Sequence, residues 1–317
     1  PKVVFHQNNT LYGVTIPGLD SIVKLNDNGC FTGYLLDQNG NMQGFLFCNN
    51  QLETFGQGFE FTEVTDLNNN NVVLGSYTRN PDAGYVPFTY QNGIMTDLGG
   101  FTSPYIAPMA MNDKGMIVGS AAVPPYDMDN AFIYHKGQVS MLGTMGGEYS
   151  SAYDINNSGV VIGTADDASG MSQAFICEDG QTLTQLVPGA YYSYANDLND
   201  QGTVIGEWAL GETDWNGFIY LNGRFIDVSP PEGHSLSLWA LNNNNVALGY
   251  LTNNVEGMDT VVLYSPETGM TPLIDVIVNG QGWDILSAEG IGDDNTIVGM
   301  AEYQGRMHIY LLTPNSY

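Results

Sequence analysis

The chain has 317 residues and carries 34 acidic against 7 basic side chains, a formal net charge of −27. This excess of negative charge argues against nucleic acid and anionic membrane surfaces as partners, because both bind through basic patches. No apolar run reaches the roughly 18 residues of a membrane-spanning helix, so no membrane span is predicted. No signal peptide is recognised in the chain, although processing would remove a leader.

Residues 11–18 at the N-terminus have the pattern of a fourth strand and its exit in later parts of the chain. The last C-terminal segment ends after a third strand, near residues 309–312. We therefore expect the N-terminal strand to complete the last sheet, which removes a free edge and ties the two ends together. Residues 3–5 also resemble a third strand, so the terminus that supplies that strand stays open.

A turn unit exemplified by residues 156–163 recurs seven times, at intervals of 42 to 50 residues. A period in the forties with short strands inside it is typical of a propeller. The unit opens with Asn in six copies and with Gly292 in the seventh, and three residues later comes Gly or Asn. This pattern predicts a tight hairpin with a left-handed residue. The final glycines of the units are Gly33, Gly75, Gly119, Gly163, Gly206, Gly249 and Gly299.

Each turn is flanked by a short strand and an apolar strand, and a third and a fourth strand follow. The third strand places large side chains on one face, as with Phe132 and Tyr134, and we expect that face to be buried. In the seventh unit His308 is assigned to this core position. Four strands per unit predict an all-β fold, a seven-bladed β-propeller of four-stranded antiparallel blades whose last blade is closed by the N-terminal strand. Residues 1–317 then form a single domain with units of about 43 residues.

Two of the three cysteines fall in the first unit. Cys30 begins its second strand and Cys48 ends its third, so the two residues lie opposite each other if the strands are antiparallel. A cross-strand disulfide is possible in an oxidising compartment, and two buried free thiols are the alternative. Cys177 replaces a third-strand aromatic residue, and we expect it in the core.

The connections from each fourth strand to the next first strand carry rings and carboxylates. In a propeller these loops meet at one mouth of the central channel. There they could stack on a sugar or enclose a cationic group, or they could only pack the loops onto the neighbouring blade. The residues concerned are Phe59, Tyr105, Tyr149, Tyr192, His234, Trp283, Glu60, Glu148 and Asp284.

Further carboxylates occur at two other places. Asp66, Asp154 and Asp197 share one position in the first strand, which Lys24 takes in the first unit. We expect these acids to accept backbone N–H groups near the turn, or else to make the channel negative. Asp127 and Asp129 have part of a calcium-loop pattern, with a solvated turn as the alternative, and no other cofactor is predicted.

The repeat resembles a known one. Its elements Ala-x-Asp-Ile-Asn-x-x-Gly-x-Val-x-Gly, Ala-Phe-Ile-Tyr and Leu-Gly-x-x-Gly-Gly-x-x-Ser-x-Ala, seen in residues 152–163, 131–134 and 142–152, are similar to the HAF-family extracellular repeat. The resemblance covers essentially the whole chain, is best in the third and fourth units, and is weakest in the seventh. It implies a secreted or surface-associated bacterial protein with a propeller-like fold, and it implies no catalytic residues.

The sequence thus favours a monomeric binding or scaffold module for a carbohydrate, cationic or protein ligand. One alternative is a glycosidase or lyase that uses Glu60, Glu148 or Asp284 with His234. Another is a protein-interaction platform or secreted effector, which would have an exposed apolar patch away from the pore.

Overall fold

The computed structural model describes residues 9–14, 16, 18–80, 84–123, 128–277 and 281–314. They form seven antiparallel sheets, each from a contiguous stretch of chain except the last. The predicted seven-bladed β-propeller of four-stranded blades is confirmed. Among the described residues, no helix has the length and apolar character needed to cross a membrane.

The first four blades follow the N-terminal strand β1 (Asn9–Val14). Blade 1 consists of β2 (Leu19–Leu25), β3 (Phe31–Leu36), β4 (Met42–Cys48) and β5 (Gln51–Phe55). Blade 2 consists of β6 (Phe61–Leu67), β7 (Val73–Thr78), β8 (Val86–Gln91) and β9 (Ile94–Asp97). Blade 3 consists of β10 (Ile106–Met111), β11 (Ile117–Val123), β12 (Met128–His135) and β13 (Gln138–Gly143). Blade 4 consists of β14 (Gly146–Ile155), β15 (Val161–Asp167), β16 (Ser172–Cys177) and β17 (Thr184–Gln185).

Three blades complete the circle. Blade 5 consists of β18 (Tyr192–Leu198), β19 (Val204–Ala209), β20 (Asn216–Leu221) and β21 (Arg224–Val228). Blade 6 consists of β22 (His234–Leu241), β23 (Ala247–Asn253), β24 (Asp259–Ser265) and β25 (Gly269–Pro272), followed by a 3₁₀ turn (Leu273–Val276). Blade 7 consists of β26 (Trp283–Ile285), β27 (Gly290–Ile291), β28 (Ile297–Tyr303) and β29 (Arg306–Pro314), together with β1.

Both chain ends meet in blade 7. Strand β1 pairs antiparallel with β29, with Leu11 opposite Leu312. The C-terminus therefore supplies the third strand and the N-terminus the fourth, which confirms the predicted closure and answers the question that the sequence left open. The N-terminal strand runs from Asn9 to Val14, so it starts and ends earlier than predicted. Residues 3–5 lie outside the described residues.

The final glycine of each unit is required by close packing on both sides. Each complete first strand has a β-bulge, as between Ala152 and Asp154. A Cβ on Gly163 would overlap the Ser151 carbonyl oxygen and would also touch the ring of Phe175 on the third strand. Phe175 pairs with Gly163 and is fully buried, so the ring fills the space that the glycine leaves. The fully buried phenylalanines opposite these glycines are Phe45, Phe88, Phe132, Phe175 and Phe218.

The seventh unit differs from its predicted alignment. Tyr310, not His308, pairs with Gly299 and is fully buried. His308 pairs with Ala301 and is half-buried beside the rings of Trp283 and Tyr303. The core assignment of His308 was therefore wrong by two residues, because the pairing of β28 with β29 places Tyr310 over the glycine.

The turns after each first strand have the predicted backbone. Asn71, Asn245 and Asn295 have positive φ angles of 58°, 59° and 64°, and Gly159 has the same left-handed conformation in its unit. The Asn that opens a turn stabilises it through its side chain. In the fourth unit, Oδ1 of Asn156 accepts the N–H groups of Ser158 and Val160, each at 3.0 Å.

Candidate functional site: the central channel

Two rings of hydrogen bonds surround the channel at the mouth formed by these turns. In the first ring, the side-chain amide of the Asn that opens a turn donates to the carbonyl of the equivalent residue in the next blade, at 2.9–3.2 Å. The ring runs from Asn26 to Gly292 and has six links. It is incomplete because Gly292 has no amide to donate back to blade 1.

The second ring is formed by the residue that follows, and it is complete. The N–H of each member donates to a side-chain oxygen of the equivalent residue in the next blade, at 2.7–3.0 Å. The members are Asp27, Asn69, Asp113, Asn157, Asp200, Asn243 and Asp293. Asp and Asn alternate, so an Asn amide also donates to a neighbouring carboxylate, as from Asn157 to Asp113 at 2.9 Å. This ring was not predicted from the sequence, although every turn has Asp or Asn at this position.

These rings enclose a cavity of about 500 Å³, lined by the ends of the first strands of all seven blades. Its wall includes Lys24, Asp66, Asp154 and Asp197, while the equivalent positions in the other blades hold Ala110, Ala240 and Gly290. Trp239 also lines the cavity, and its buried indole N–H has no hydrogen-bond partner among the described residues. Acids therefore outnumber bases inside the channel.

Each of the three aspartates binds the backbone of the following blade. Asp66 accepts the N–H of Met111 at 2.7 Å, and Asp154 accepts that of Leu198 at 2.9 Å. Asp197 accepts the N–H of Leu241 in the same way. The predicted bonds to N–H groups near the turn are confirmed, and they join neighbouring blades. Asp154 and Asp197 also accept the N–H of the next residue in their own blade, at 2.8 and 3.1 Å.

The charges of the cavity are strongly coupled. The Lys24 ammonium belongs to blade 1, yet Asp197 of blade 5 contributes most to raising its pKa, against the opposing effect of burial. Lys24 therefore interacts across the channel. Burial raises the pKa of Asp66, and Lys24 opposes that rise. Burial, followed by the neighbouring Asp197 carboxylate, raises the pKa of Asp154 to about 8, and the two carboxyl groups are within hydrogen-bonding reach. At neutral pH Asp154 is therefore mostly protonated.

The predicted aromatic site lies at the opposite mouth, where the first strands begin. None of its nine residues lines the cavity. Three of the rings stack on rings of their own blade: Phe59 on Tyr77 at 4.0 Å, Trp283 on Tyr303 at 4.7 Å, and Tyr192 near Trp215 at 6.4 Å. These contacts are made within each ring's own blade, whereas the packing alternative placed the loops against the neighbouring blade.

The remaining members of that site are more accessible. Tyr105 is 54% exposed and Tyr149 48% exposed. Nδ1 of His234 lies 3.2 Å from the carbonyl oxygen of Glu232. Glu60, Glu148 and Asp284 are exposed. Their convergence on one ligand stays a prediction.

The calcium prediction also stays untested. Asp129 is exposed on β12, and Asp127 lies outside the described residues. Over the part of the chain that the structure describes, no group of three or more His, Cys, Asp or Glu residues could hold a metal ion.

The three cysteines have distinct environments. Cys30 and Cys48 form a disulfide, with their Cα atoms 4.5 Å apart at the paired ends of β3 and β4. Cys177 is a free, buried thiol in the core between blades 3 and 4, as predicted, and burial raises its pKa.

The sequence matches no protein-family model and no curated protein. Solved structures share the fold at low sequence identity. The β-propeller domain of the Trilobed protease from Pyrococcus furiosus is 10% identical, with a TM-score of 0.62 over 99% of this chain and 98% of that one. Virginiamycin B lyase from Staphylococcus aureus is 10% identical, with a TM-score of 0.52 over 96% and 99%. A puromycin-hydrolyzing peptidase from Mycobacterium tuberculosis is 12% identical, with a TM-score of 0.59, but only 53% of that chain is covered. These similarities define the chain as a β-propeller and assign no activity.

Proposed function

We propose that the protein is an exported binding propeller that recognises an organic cation at the aromatic mouth of its channel. The proposal rests on a cationic side chain of the protein itself, which already lies over aromatic rings at this mouth. The Arg79 guanidinium lies 5.3 Å from the ring centroid of Phe59 and 5.5 Å from that of Tyr77. A cation over a ring face is stabilised by about 0.5–2 kcal/mol. The same mouth has further ring faces and exposed carboxylates.

The charge of the channel supports this choice of ligand. Glu60, Glu148 and Asp284 are exposed at the aromatic mouth, while the cavity beyond it is lined by seven aspartates and one glutamate against one lysine. Fields from like charges that line a cleft concentrate counter-ions there. An ammonium or guanidinium group is therefore favoured over a neutral sugar, although a glycan carrying amino groups meets the same requirement.

The proposed location outside the cell rests on two features. The structure contains a Cys30–Cys48 disulfide, and disulfides typically form and persist in oxidising compartments. The repeat resembles the HAF-family extracellular repeat, and membership of that family is part of the proposal. An acidic chain with 7 basic residues fits this location.

Titration of the protein with spermidine, followed by tryptophan fluorescence and calorimetry, tests the proposal. We expect saturable binding that Tyr105→Ala and Tyr149→Ala each weaken about fivefold, as is usual for an interface aromatic residue. Ile94→Ala, which removes a 65% exposed side chain from the β8–β9 turn at the opposite mouth, is the control. Loss of the fluorescence change in Trp239→Phe but not in Trp283→Phe would place the ligand in the cavity instead and contradict the proposed site.

A further inference from the structure

Three large apolar side chains are unusually exposed on neighbouring blades. Val255 is 90% exposed, Leu210 72% and Met258 61%. Leu210 directly follows β19 of blade 5, and the other two lie between β23 and β24 of blade 6. Connections between second and third strands emerge at the aromatic mouth, so all three residues belong to one face. We call these three residues the blade 5–6 patch.

Hydrogen bonds connect the two loops through the start of β22. The N–H of Leu236 donates to the carbonyl of Trp215 in the blade 5 loop, at 3.0 Å. In blade 6, Ser235 Oγ donates to Oδ1 of Asn254, also at 3.0 Å, and Asn254 immediately precedes Val255. The two loops that carry the blade 5–6 patch are therefore both hydrogen-bonded to the start of β22.

The blade 6 loop is ordered by hydrogen bonds to one of its own side chains. Oδ1 of Asn253 accepts the N–H groups of Val255 and Glu256, at 2.9 and 3.1 Å. In the other loop, Asp214 has a φ of 67°, which is costly for a residue other than glycine. Exposed apolar surface costs about 25 cal/mol per Å² relative to burial, so a fixed, exposed cluster is typical of a binding surface.

Acids predominate around the patch, and the base on the equivalent connection of the neighbouring blade 7 is Arg306. Between residues 187 and 277 the one basic residue is Arg224, which begins β21 next to a turn at the opposite mouth. The exposed acids of the loops around the patch are Glu212, Asp214, Glu232, Glu256 and Asp259. A partner that covers the apolar residues must therefore supply positive charge at its rim.

We infer that the blade 5–6 patch docks a segment of another protein whose apolar side chains are flanked by lysine or arginine. The apolar residues supply the buried centre of the interface and the five acids its rim, which steers and orients the basic segment. This surface goes beyond the proposed cation site, because it uses none of the residues on which that site depends.

The test uses the full chain and a fluorescein-labelled peptide that carries two leucines flanked by lysines, with binding measured by anisotropy. We expect saturable binding that Leu210→Ser and Val255→Ser each weaken about tenfold, and that high salt also weakens. Ile94→Ser is the matched control, since Ile94 is 65% exposed in blade 2, away from the patch. Circular dichroism and thermal melting verify that each variant is folded.

Two further peptides separate the contribution of the apolar side chains to binding from that of the basic side chains. Replacement of the leucines by serine should abolish binding, and so should replacement of the lysines by glutamate. Equal binding of either peptide, or an unchanged affinity in Leu210→Ser and Val255→Ser, would overturn the inference. It would equally be overturned if sedimentation showed that the wild-type chain self-associates through the patch and that Val255→Ser abolishes this, because the occupant would then be a second copy.

Discussion

The backbone N–H of Asp293 donates a 3.0 Å hydrogen bond to Oδ1 of Asp27 and thereby joins the last blade to the first. It is the seventh bond of the second ring, in which Asp and Asn alternate. Because seven is odd, a ring that alternates Asp and Asn must place two like residues together once, and here two carboxylates meet. Burial, and after it the charge of Asp293, raises the pKa of Asp27, while a hydrogen bond from Asn69 opposes the rise.

The same junction lacks the amide link that the other six have, because Gly292 replaces Asn. The Asn26 carbonyl oxygen lies 3.9 Å from the position of a Cβ on Gly292, and Oδ1 of Asp294 lies 3.3 Å from it. Gly292→Asn should restore the seventh link and raise the free energy of unfolding by about 1 kcal/mol, the typical net value of one hydrogen bond. Chemical denaturation measures this difference.

Gly292→Ala is the control for that substitution, because it removes the flexibility of glycine without adding an amide. The alanine variant should gain less than the asparagine variant. Equal stability of the two variants would mean that the missing amide has no energetic consequence at this junction.

The Asp154–Asp197 pair predicts how stability depends on pH. The pKa of Asp154 is raised to about 8 in the folded protein, so between roughly pH 4 and 8 the folded state binds a proton that the unfolded state has lost. The free energy of unfolding should therefore fall as pH rises through this window, by at most about 1.4 kcal/mol per pH unit. In Asp154→Asn this fall should be smaller. An identical pH profile for the variant and the wild type would contradict the raised pKa of Asp154.

Lys24 should stabilise the channel by compensating these acids. The pKa of Lys24 is raised in the folded protein. Its contribution to the free energy of unfolding is therefore complete below the ordinary pKa of 10.5, and it is lost only as the pH rises through the higher pKa of the folded state. Lys24→Met removes the one base of the wall and leaves buried carboxylates uncompensated, with an expected loss of about 3 kcal/mol at pH 7. The loss should shrink toward acidic pH, where the carboxylates become neutral. A loss independent of pH would indicate that packing, rather than charge, is responsible.

The sequence predicted the blades because their signals are local. The turn Asn, the left-handed residue and the Gly-terminated strand lie within eight residues of one another, as in residues 156–163. The contacts between blades were not predictable from such signals, since Asp197 and Lys24 are 173 positions apart in the sequence and meet only because the channel closes. His308 was misplaced for a related reason, because strand register in the irregular seventh unit is fixed by pairing with β28. The aromatic mouth depends on where loop side chains point, which a repeat pattern does not specify.

The repeat glycines should tolerate no side chain. In Gly163→Ala the new Cβ would overlap the Ser151 carbonyl and press on Phe175, and neither the bulged strand nor the buried ring can move freely. We expect a loss of about 3 kcal/mol or more, measured by denaturation. Gly211→Ala is the matched control, because nothing lies within 4 Å of its added Cβ, and its effect should stay within about 0.5 kcal/mol.

The stabilisation that the disulfide gives should depend on the length of the chain segment that it closes in blade 1. Cys30 and Cys48 are separated by 18 positions, and closing a loop of this length in the unfolded chain corresponds to about 3 kcal/mol. Cys30→Ser combined with Cys48→Ser should lower the free energy of unfolding by that order, and a reductant should lower the stability of the wild type to a similar extent. The double variant serves as the control for the reductant, since its remaining Cys177 is a free thiol. A reductant that destabilised both proteins equally would show that the effect does not come from this disulfide.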